Sequence, residues 1–493
     1  MLSIDFTRLT EKLLYNPREP LLFNSGFFIW FFAAFIITYS LVAKSRNGRI
    51  YTFIFFSLYF FYKACGWYVV LVLFSAVVDF ILSNTIFRTT GSSKRKALLV
   101  TSIVLNLGLL FYFKYTNFFI QLINDFGSGH INPLNLILPV GISFYTFENL
   151  SYTVDVYRGH FKPVTRFMDY LYFLSFFPKL MMGPIVRAAD FLPQLDQPYF
   201  VSRQDFASGF YLIFSGLFKK IVISDFLSAN MVGYIFDDPS KHVGLECLMG
   251  IYGYALVIYC DFSGYSDMAI GIAKWCGFRI PPNFLSPYQS VSITEFWRRW
   301  HISLSSWLRD YLYIPLGGSR KGKVRTYVNL FITMLLGGFW HGASWNFIIW
   351  GGMHGMALSV DKAKLYIAGK FRINTKNLFL KILGIFMTFH FVCFCWIYFK
   401  ASSLSDANVI LHQLFYNFSA GTWTDLYANY HNVIYIMALG FVLHFIPPSW
   451  EEKVKIALSK AGLAGYLLIA LLLLFIFVQI KTAEPIMPVY LQF

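Results

Sequence analysis

Long apolar runs recur along this chain, and they constrain its fold more than any other feature. A run of about 18 apolar residues is long enough to cross a bilayer as a helix. Of the 493 residues, 57% are hydrophobic and only 13% are charged, which lies outside the range of soluble globular proteins. We therefore predict an all-α, polytopic membrane protein with about 11 membrane elements, some of them short or re-entrant. The apolar runs lie at residues 21–43, 50–64 with 66–85, 97–122, 136–155, 206–235, 245–275, 326–340, 344–360, 379–398, 432–448 and 463–481.

The basic residues collect in short loops between the apolar runs. The net charge is +16, but no basic stripe follows a soluble domain, so we expect no nucleic-acid partner. Loops rich in lysine and arginine stay on the cytoplasmic side of a membrane, which predicts that the N-terminus and residues 481–493 lie outside. The first apolar run is too long for the core of a signal peptide, so we expect it to remain as an anchor. The basic loops are residues 44–49, 88–96, 158–166, 320–325, 362–376 and 453–460.

No internal repeat or low-complexity linker divides the chain, which predicts one membrane domain over residues 1–493. Glycines, prolines and charges interrupt the apolar runs between residues 139 and 355. Broken segments survive at membrane depth only where protein covers them or where they line a watery cavity. We therefore predict a functional core at residues 139–355, with flanking transmembrane helices at 1–125 and 379–493.

The cysteines form neither a paired disulfide framework nor a zinc-binding spacing. We expect them to be buried as small apolar side chains, and we expect no metal site. They are Cys65, Cys247, Cys260, Cys276, Cys393 and Cys395.

Two histidines stand beside tryptophans in segments that we expect inside the bilayer. His301 ends the sequence FWRRWH at 296–301, and His341 lies in GFWHG at 338–342. Ionisable groups at membrane depth are costly and are therefore functional candidates. The pattern favours acid–base chemistry within the membrane. A hydrogen-bonded core residue is the alternative interpretation of His301.

The spacing of Ser292 and Glu295 is that of a capping box, which predicts a helix that begins just before Trp297. Apolar and aromatic residues recur from there to Tyr311 at three- and four-residue spacing, and His301 falls on the same face. The stripe is also consistent with plain packing or with an interfacial aromatic belt.

His354 follows His341 after 13 residues, in a second glycine-rich segment. In one continuous helix the two imidazoles would lie roughly 20 Å apart, too far to share a proton. We therefore expect only one of them at the reacting centre. His341 is the better candidate, because Gly342 allows close backbone approach, whereas His354 is more consistent with a structural role.

Charged side chains in or beside the apolar runs have two interpretations each. Arg298 and Arg299 are either cytoplasmic anchors or anion binders for a phosphate-bearing donor. The Ser/Gly/Asp pattern at 261–267 predicts a helix break with new caps. The carboxylates there are either structural or orient a histidine or a substrate. The acidic residues concerned are Glu148, Asp155, Asp261 and Asp267.

Six sequence strings, in this order, resemble the membrane-bound O-acyltransferase (MBOAT) family. The resemblance is to its bacterial branch, which contains alginate O-acetyltransferase, peptidoglycan O-acetyltransferase and the teichoic acid D-alanyltransferase. Nucleotide-binding glycine motifs, His-Glu-x-x-His and Gly-x-Ser-x-Gly do not occur in the sequence. The strings are LPVGISF at 138–144, VDVYRG at 154–159, GPIVR at 183–187, DFSGYSD at 261–267, TEFWRRWH at 294–301 and FWHG at 339–342.

The resemblance implies that His341 is catalytic and that His301 is the second family histidine. It further implies a membrane-embedded funnel in a bacterial inner membrane, reached by the acyl donor from the cytoplasm and by the acceptor from outside. The implied cosubstrate is a thioester, either acetyl-CoA or an acyl carrier, with no bound cofactor. The implied partners are a periplasmic acetyltransferase and a polysaccharide.

We therefore expect acetyl transfer from a cytoplasmic thioester for O-acetylation of an extracytoplasmic polysaccharide, alginate-like or peptidoglycan, with His341 as general base. D-alanyl transfer to teichoic acid is an alternative. A membrane transporter is another, because broken helices also mark transport sites, but inverted repeats are not apparent. The candidate substrate-binding residues are Arg298, Arg299, Trp297, Trp340, Asp261 and Asp267.

Overall fold

The computed structural model describes residues 11–17, 19–127, 130–370, 377–480 and 486–491, and all regular structure within them is helical. Seven helical stretches in this part of the chain are long and apolar enough to cross a membrane, and Gly26–Val42 is a shorter apolar helix. The all-α, polytopic prediction is confirmed. The seven stretches are Arg46–Arg88, Ser92–Lys114, Arg203–Asp237, Gly244–Trp275, Leu378–Lys400, Ala420–Phe445 and Leu463–Ile480.

The chain divides into two compact units. The first comprises residues 1–209 and 268–280, and the second comprises residues 210–267 and 281–493. The helices up to residue 202 are α1 (Gly26–Val42), α2 (Arg46–Cys65), α3 (Val69–Arg88), α4 (Ser92–Lys114), α5 (Thr116–Phe126), α6 (Ile142–Arg158), α7 (Phe167–Ser175), α8 (Phe177–Leu180) and α9 (Ala188–Phe191). The later helices are α10 (Arg203–Phe218), α11 (Gly233–Asp237), α12 (Gly244–Trp275), α13 (Ile293–Arg299), α14 (Ile302–Leu308), α15 (Lys323–His341), α16 (Trp345–Lys370), α17 (Leu378–Lys400), α18 (Leu404–Tyr416), α19 (Trp423–Phe445), α20 (Pro448–Ser459) and α21 (Leu463–Ile480).

Buried polar contacts join the helices of the first unit. Asp79 on α3 accepts hydrogen bonds from Asn106 of α4 at 2.7 Å and from Thr153 of α6 at 3.2 Å. Glu148 of α6 pairs with Lys179 of α8, and both side chains are buried. A buried carboxylate is tolerated only when it is hydrogen-bonded or paired, so these contacts fix how the four helices pack.

The prediction of a helix break at 261–267 is wrong, because α12 runs unbroken through it. Both carboxylates are instead paired: Asp261 lies 2.6 Å from the ammonium of Lys220, and Asp267 lies 2.6 Å from that of Lys219. A Cβ on Gly264 would lie 2.7 Å from the carbonyl oxygen of Gly216. The Ser/Gly/Asp pattern therefore reflects ion pairing and close packing, not capping.

The predicted helix from Trp297 to Tyr311 is interrupted at His301. The capping prediction is confirmed, since the Ser292 hydroxyl accepts a hydrogen bond from Glu295 N at 3.2 Å. However, α13 ends at Arg299 and α14 begins at Ile302, with His301 in the left-handed region at φ 42° and ψ 56°. His301 therefore does not continue the aromatic stripe of a single helix.

Backbone groups of a preceding loop stabilise this break. Leu285 N donates to Arg299 O at 2.9 Å, and Ile302 N donates to Asn283 O at 3.0 Å. Buried backbone donors and acceptors need partners, and the loop supplies those that a continuous helix would otherwise provide.

Helices α15 and α16 pack closely through glycine. A Cβ on Gly338 would lie 2.9 Å from Gly351 Cα, and one on Gly351 would lie 2.5 Å from Met334 O. His341 is the last residue of α15. The close approach of these two helices therefore sets where His341 lies.

We expect Gly338→Ala to destabilise the protein by about 1–3 kcal/mol, because the added methyl group overpacks this contact. The measurement is the thermal unfolding midpoint of the purified full-length protein in detergent. Gly108→Ala is the control: nothing lies within 4 Å of a Cβ at that mid-helix glycine. Equal midpoints for the two variants would contradict close packing of α15 on α16.

Candidate functional site

His341 lies in a cage of aromatic rings in the second unit, and its side chain is 4% exposed. Its ring centroid lies 4.9 Å from that of Trp340, 5.1 Å from Trp350, 5.3 Å from Phe399 and 5.5 Å from Tyr490. Helix α15 ends here with Gly342 in an extended conformation. A Cβ at Gly342 would collide with the Phe347 ring, which agrees with the predicted need for glycine.

His301 is completely buried and shares two of these neighbours. Its ring centroid lies 6.5 Å from that of Trp340 and 6.1 Å from that of Tyr490. Phe262 of α12 packs edge-on against it at 4.6 Å. The structure thus brings His301, His341 and Trp340 together, as the motifs suggested, and adds Tyr490 to the group.

Asn283 holds the turn that carries His301. Its side-chain oxygen accepts from Ser303 N at 3.1 Å and from Ser303 Oγ at 2.9 Å, and it lies 3.3 Å from His301 Nδ1. Its amide nitrogen donates to Ser266 Oγ at 3.2 Å. An acceptor oxygen beside Nδ1 favours the tautomer that carries its proton there.

The His301 imidazole is neutral. It lies between α13 and α14, outside the seven candidate spans. Burial lowers its pKa to about 3, because a charged ring would lose its hydration. In the tautomer that carries its proton on Nδ1, Nε2 has the lone pair.

His354 shares the neighbour Trp350 with His341: the Trp350 ring centroid lies 4.8 Å from that of His354 and 5.1 Å from that of His341. Its Nδ1 accepts a hydrogen bond from Trp297 Nε1 at 3.3 Å. The indole N–H of Trp297, which we predicted to contact the substrate, is therefore hydrogen-bonded to His354.

The two arginines differ in their surroundings. Arg299 pairs with Glu295 at 2.6 Å and donates to Leu285 O at 3.2 Å. Arg298 is exposed. Of the two, Arg298 is the better placed for a phosphate group from outside the protein.

The two aspartates of the 261–267 string also differ. Asp267 is directed to Lys219, whereas Asp261 accepts a hydrogen bond from Val489 N at 2.7 Å as well as pairing with Lys220. Asp261 thereby contacts the segment that carries Tyr490. Neither contact was predictable from the local sequence.

The six cysteines are all unpaired and buried, which confirms their interpretation as small apolar side chains. Several neighbours of the histidines lie outside the motifs that the sequence indicated. Among them are Asn283, Trp350, Phe399 and Tyr490. Only Asn283, next to two prolines in a broken segment, carried any local signal.

Comparison with known proteins shows the class of protein. Residues 160–405 match the model of the membrane-bound O-acyltransferase family. The peptidoglycan O-acetyltransferase of Helicobacter pylori is 36% identical over 421 residues, which cover 79% of each chain. The probable alginate O-acetylase of Pseudomonas aeruginosa is 43% identical over 330 residues, or 66% of this chain and 61% of that protein. The teichoic acid D-alanyltransferase of Bacillus subtilis is 30% identical over 276 residues, or 54% of this chain and 69% of that protein.

This chain therefore belongs to the membrane-bound O-acyltransferase family and is an integral membrane acyltransferase. The resemblance seen in the six strings is confirmed. The family match ends at residue 405, so the segment that carries Tyr490 lies beyond it.

We expect Asn283→Ala to destabilise the protein by about 1–3 kcal/mol, because it leaves buried donors of Ser303 unsatisfied. The readout is again the thermal midpoint in detergent. Asn230→Ala is the control, since the exposed Asn230 side chain donates to Phe226 O at 2.8 Å, within the helical stretch Arg203–Asp237. An unchanged midpoint for Asn283→Ala would contradict its role in holding the His301 turn.

Proposed function

We propose that this enzyme moves an acetyl group from a cytoplasmic thioester to a hydroxyl group, for O-acetylation of an extracytoplasmic polysaccharide. His341 is the general base. One observation carries the proposal: His301 and His341, from separate motifs, meet in one buried cluster around Trp340 and Tyr490. The named activities of the peptidoglycan and alginate relatives favour acetyl as the acyl group.

In this reaction the acyl group passes directly from the donor to the acceptor, and the protein contributes proton transfer. The hydroxyl oxygen attacks the thioester carbonyl carbon, a C–O bond forms and the C–S bond breaks. His341 takes the hydroxyl proton and returns it to the departing thiolate. General base catalysis by a positioned side chain is worth about 10²–10⁴ in rate.

The rings around His341 suit this task because they exclude water. A thioester in a wet site would be lost to hydrolysis, and a dry site also strengthens each polar contact with the reacting atoms. His301, neutral and with its Nε2 lone pair, orients the acceptor hydroxyl. Trp340, in contact with both imidazoles, borders the acyl group.

The donor is a cosubstrate, acetyl-CoA or an acyl carrier, and needs no resident cofactor. Exposed Arg298 is the candidate for its phosphates, with Arg299 as a weaker one because Glu295 already pairs with it. Trp297 contributes indirectly, through its hydrogen bond to His354. Asp261 also contributes indirectly, through its hydrogen bond to Val489 N. Asp267, paired with Lys219, supports α12.

Sidedness follows from the basic loops. They support a donor side in the cytoplasm, with the N-terminus and the acceptor on the outer side of the bacterial inner membrane. The immediate acceptor is a hydroxyl on a periplasmic transferase or on the polysaccharide itself.

We expect His341→Ala to reduce polymer O-acetylation by at least about 100-fold, since it removes the base. The measurement is the O-acetyl content of exopolysaccharide and of peptidoglycan, in cells with matched membrane abundance of each variant. His431→Ala, at an exposed histidine, is the control.

Loss from one polymer in His341→Ala alone supports the proposal and identifies the acceptor pathway. If both polymers keep their acetyl groups, the proposal is wrong as stated. The D-alanyl ester content of teichoic acid is then assayed, because D-alanyl transfer is the activity named for the Bacillus subtilis relative.

We expect His301→Asn to lower kcat with little change in unfolding temperature. Asparagine tolerates the left-handed backbone that residue 301 adopts, so the fold is kept while the imidazole is lost. The comparison is with His301→Val, for which a β-branched side chain adds strain and lowers the thermal midpoint as well. Full activity of His301→Asn would show that the imidazole has no part in the reaction.

A further inference from the structure

Residues 486–491 lie far along the chain from both histidine motifs, yet they complete the cluster. We propose that this segment is part of the acyl-transfer site, with Tyr490 as a positioning residue for His301 and His341 and with Lys220 and Asp261 as its anchor. The proposal rests on the proposed function, because it assigns Tyr490 a part in that reaction.

The anchor holds the segment at two points. The Lys220 ammonium donates to Ile486 O at 3.2 Å, and Asp261 Oδ2 accepts from Val489 N at 2.7 Å. Lys220 also pairs with Asp225 at 2.7 Å and with Asp261 Oδ1 at 2.6 Å. The three charged side chains are all at least nine-tenths buried.

Residues 486–491 provide hydrogen-bond partners for polar atoms of Lys220 and Asp261 that the ion pairs alone do not engage. An ammonium group has three donors; Lys220 donates to Asp261 and to the Ile486 carbonyl, and it forms an ion pair with Asp225. One oxygen of Asp261 is taken by Lys220, and the other receives the Val489 amide. Buried polar groups need such partners, so docking of the segment completes the ion cluster.

This anchor places the Tyr490 ring close to both imidazoles. The ring centroid lies 5.5 Å from that of His341 and 6.1 Å from that of His301. Phe262 and Phe399 pack on it at 4.2 and 6.2 Å, and the side chain is 8% exposed. The ring limits the rotation of both histidines and fills the space beside them.

Loss of the ring would leave a void next to the reacting groups. A misplacement of about 1 Å at a catalytic group costs about 100-fold in rate. We therefore expect Tyr490→Ala to lower kcat at least about tenfold while KM stays within about threefold. Tyr490→Phe keeps the ring and is expected to retain most of the activity.

The kinetic test uses the full-length enzyme in membrane vesicles with a thioester donor. Tyr234→Ala, at an exposed tyrosine of the second unit, is the matched control. If Tyr490→Ala leaves kcat unchanged, or if Tyr490→Phe falls as far as Tyr490→Ala, positioning by the ring is overturned. A thermal midpoint that falls equally in the Phe and Ala variants would indicate a structural role only and would also overturn it.

A second measurement tests the anchor without reference to activity. Val489→Cys preserves the backbone donor to Asp261 and puts a thiol at a buried position, while the six native cysteines are themselves buried. Its reaction with N-ethylmaleimide is measured alone, with Asp261→Asn and with Asp238→Asn. Asp238 is the control because it forms an exposed pair with Lys241.

We expect Asp261→Asn to accelerate labelling of Val489→Cys and Asp238→Asn to leave it unchanged. Equal labelling in all three backgrounds would overturn the anchor. If the parent enzyme transfers no acyl group, the proposed function fails, and the labelling still decides whether Asp261 holds the segment.

Discussion

Buried polar groups must find their partners within the chain itself, and the site of this enzyme depends on that constraint. A buried helix can be interrupted only where other protein groups replace the lost hydrogen bonds. Asn283 does this at the turn of His301, through its backbone carbonyl and its side chain. Lys220 and Asp261 do the same for residues 486–491. The turn of His301 and the segment that carries Tyr490 are thus both held by groups that satisfy a local backbone requirement.

Much of the architecture was predictable from the sequence because the apolar runs are long and the caps are local. The runs at 326–340 and 344–360 correspond to α15 and α16, and the break between them at His341 was recognised from glycine. The Ser292 cap was predictable for the same reason, since Ser292 and Glu295 are three residues apart. Signals of this kind depend on a few neighbouring residues.

The wrong predictions concern residues whose partners are distant in sequence. The Asp261 string was interpreted as a helix break because its lysine partners lie more than 40 residues earlier. The stripe through His301 was taken as one helix because nothing local shows that Asn283 will bond to the backbone at residue 302. Tyr490 carries no motif, and only the three-dimensional contacts of Val489 and Tyr490 reveal its place.

The backbone around the two histidines also bears on their proposed roles. His341 ends helix α15, at the negative end of the helix dipole, which favours a positive charge. His301 lies between the end of α13 and the start of α14, so the dipoles of these two short helices act on it with opposite signs. A base must carry a proton for part of the cycle, whereas a residue that orients a hydroxyl works best when it stays neutral. Under the proposed function, the end of α15 favours proton transfer at His341, and the complete burial of His301 favours a neutral ring that orients the hydroxyl.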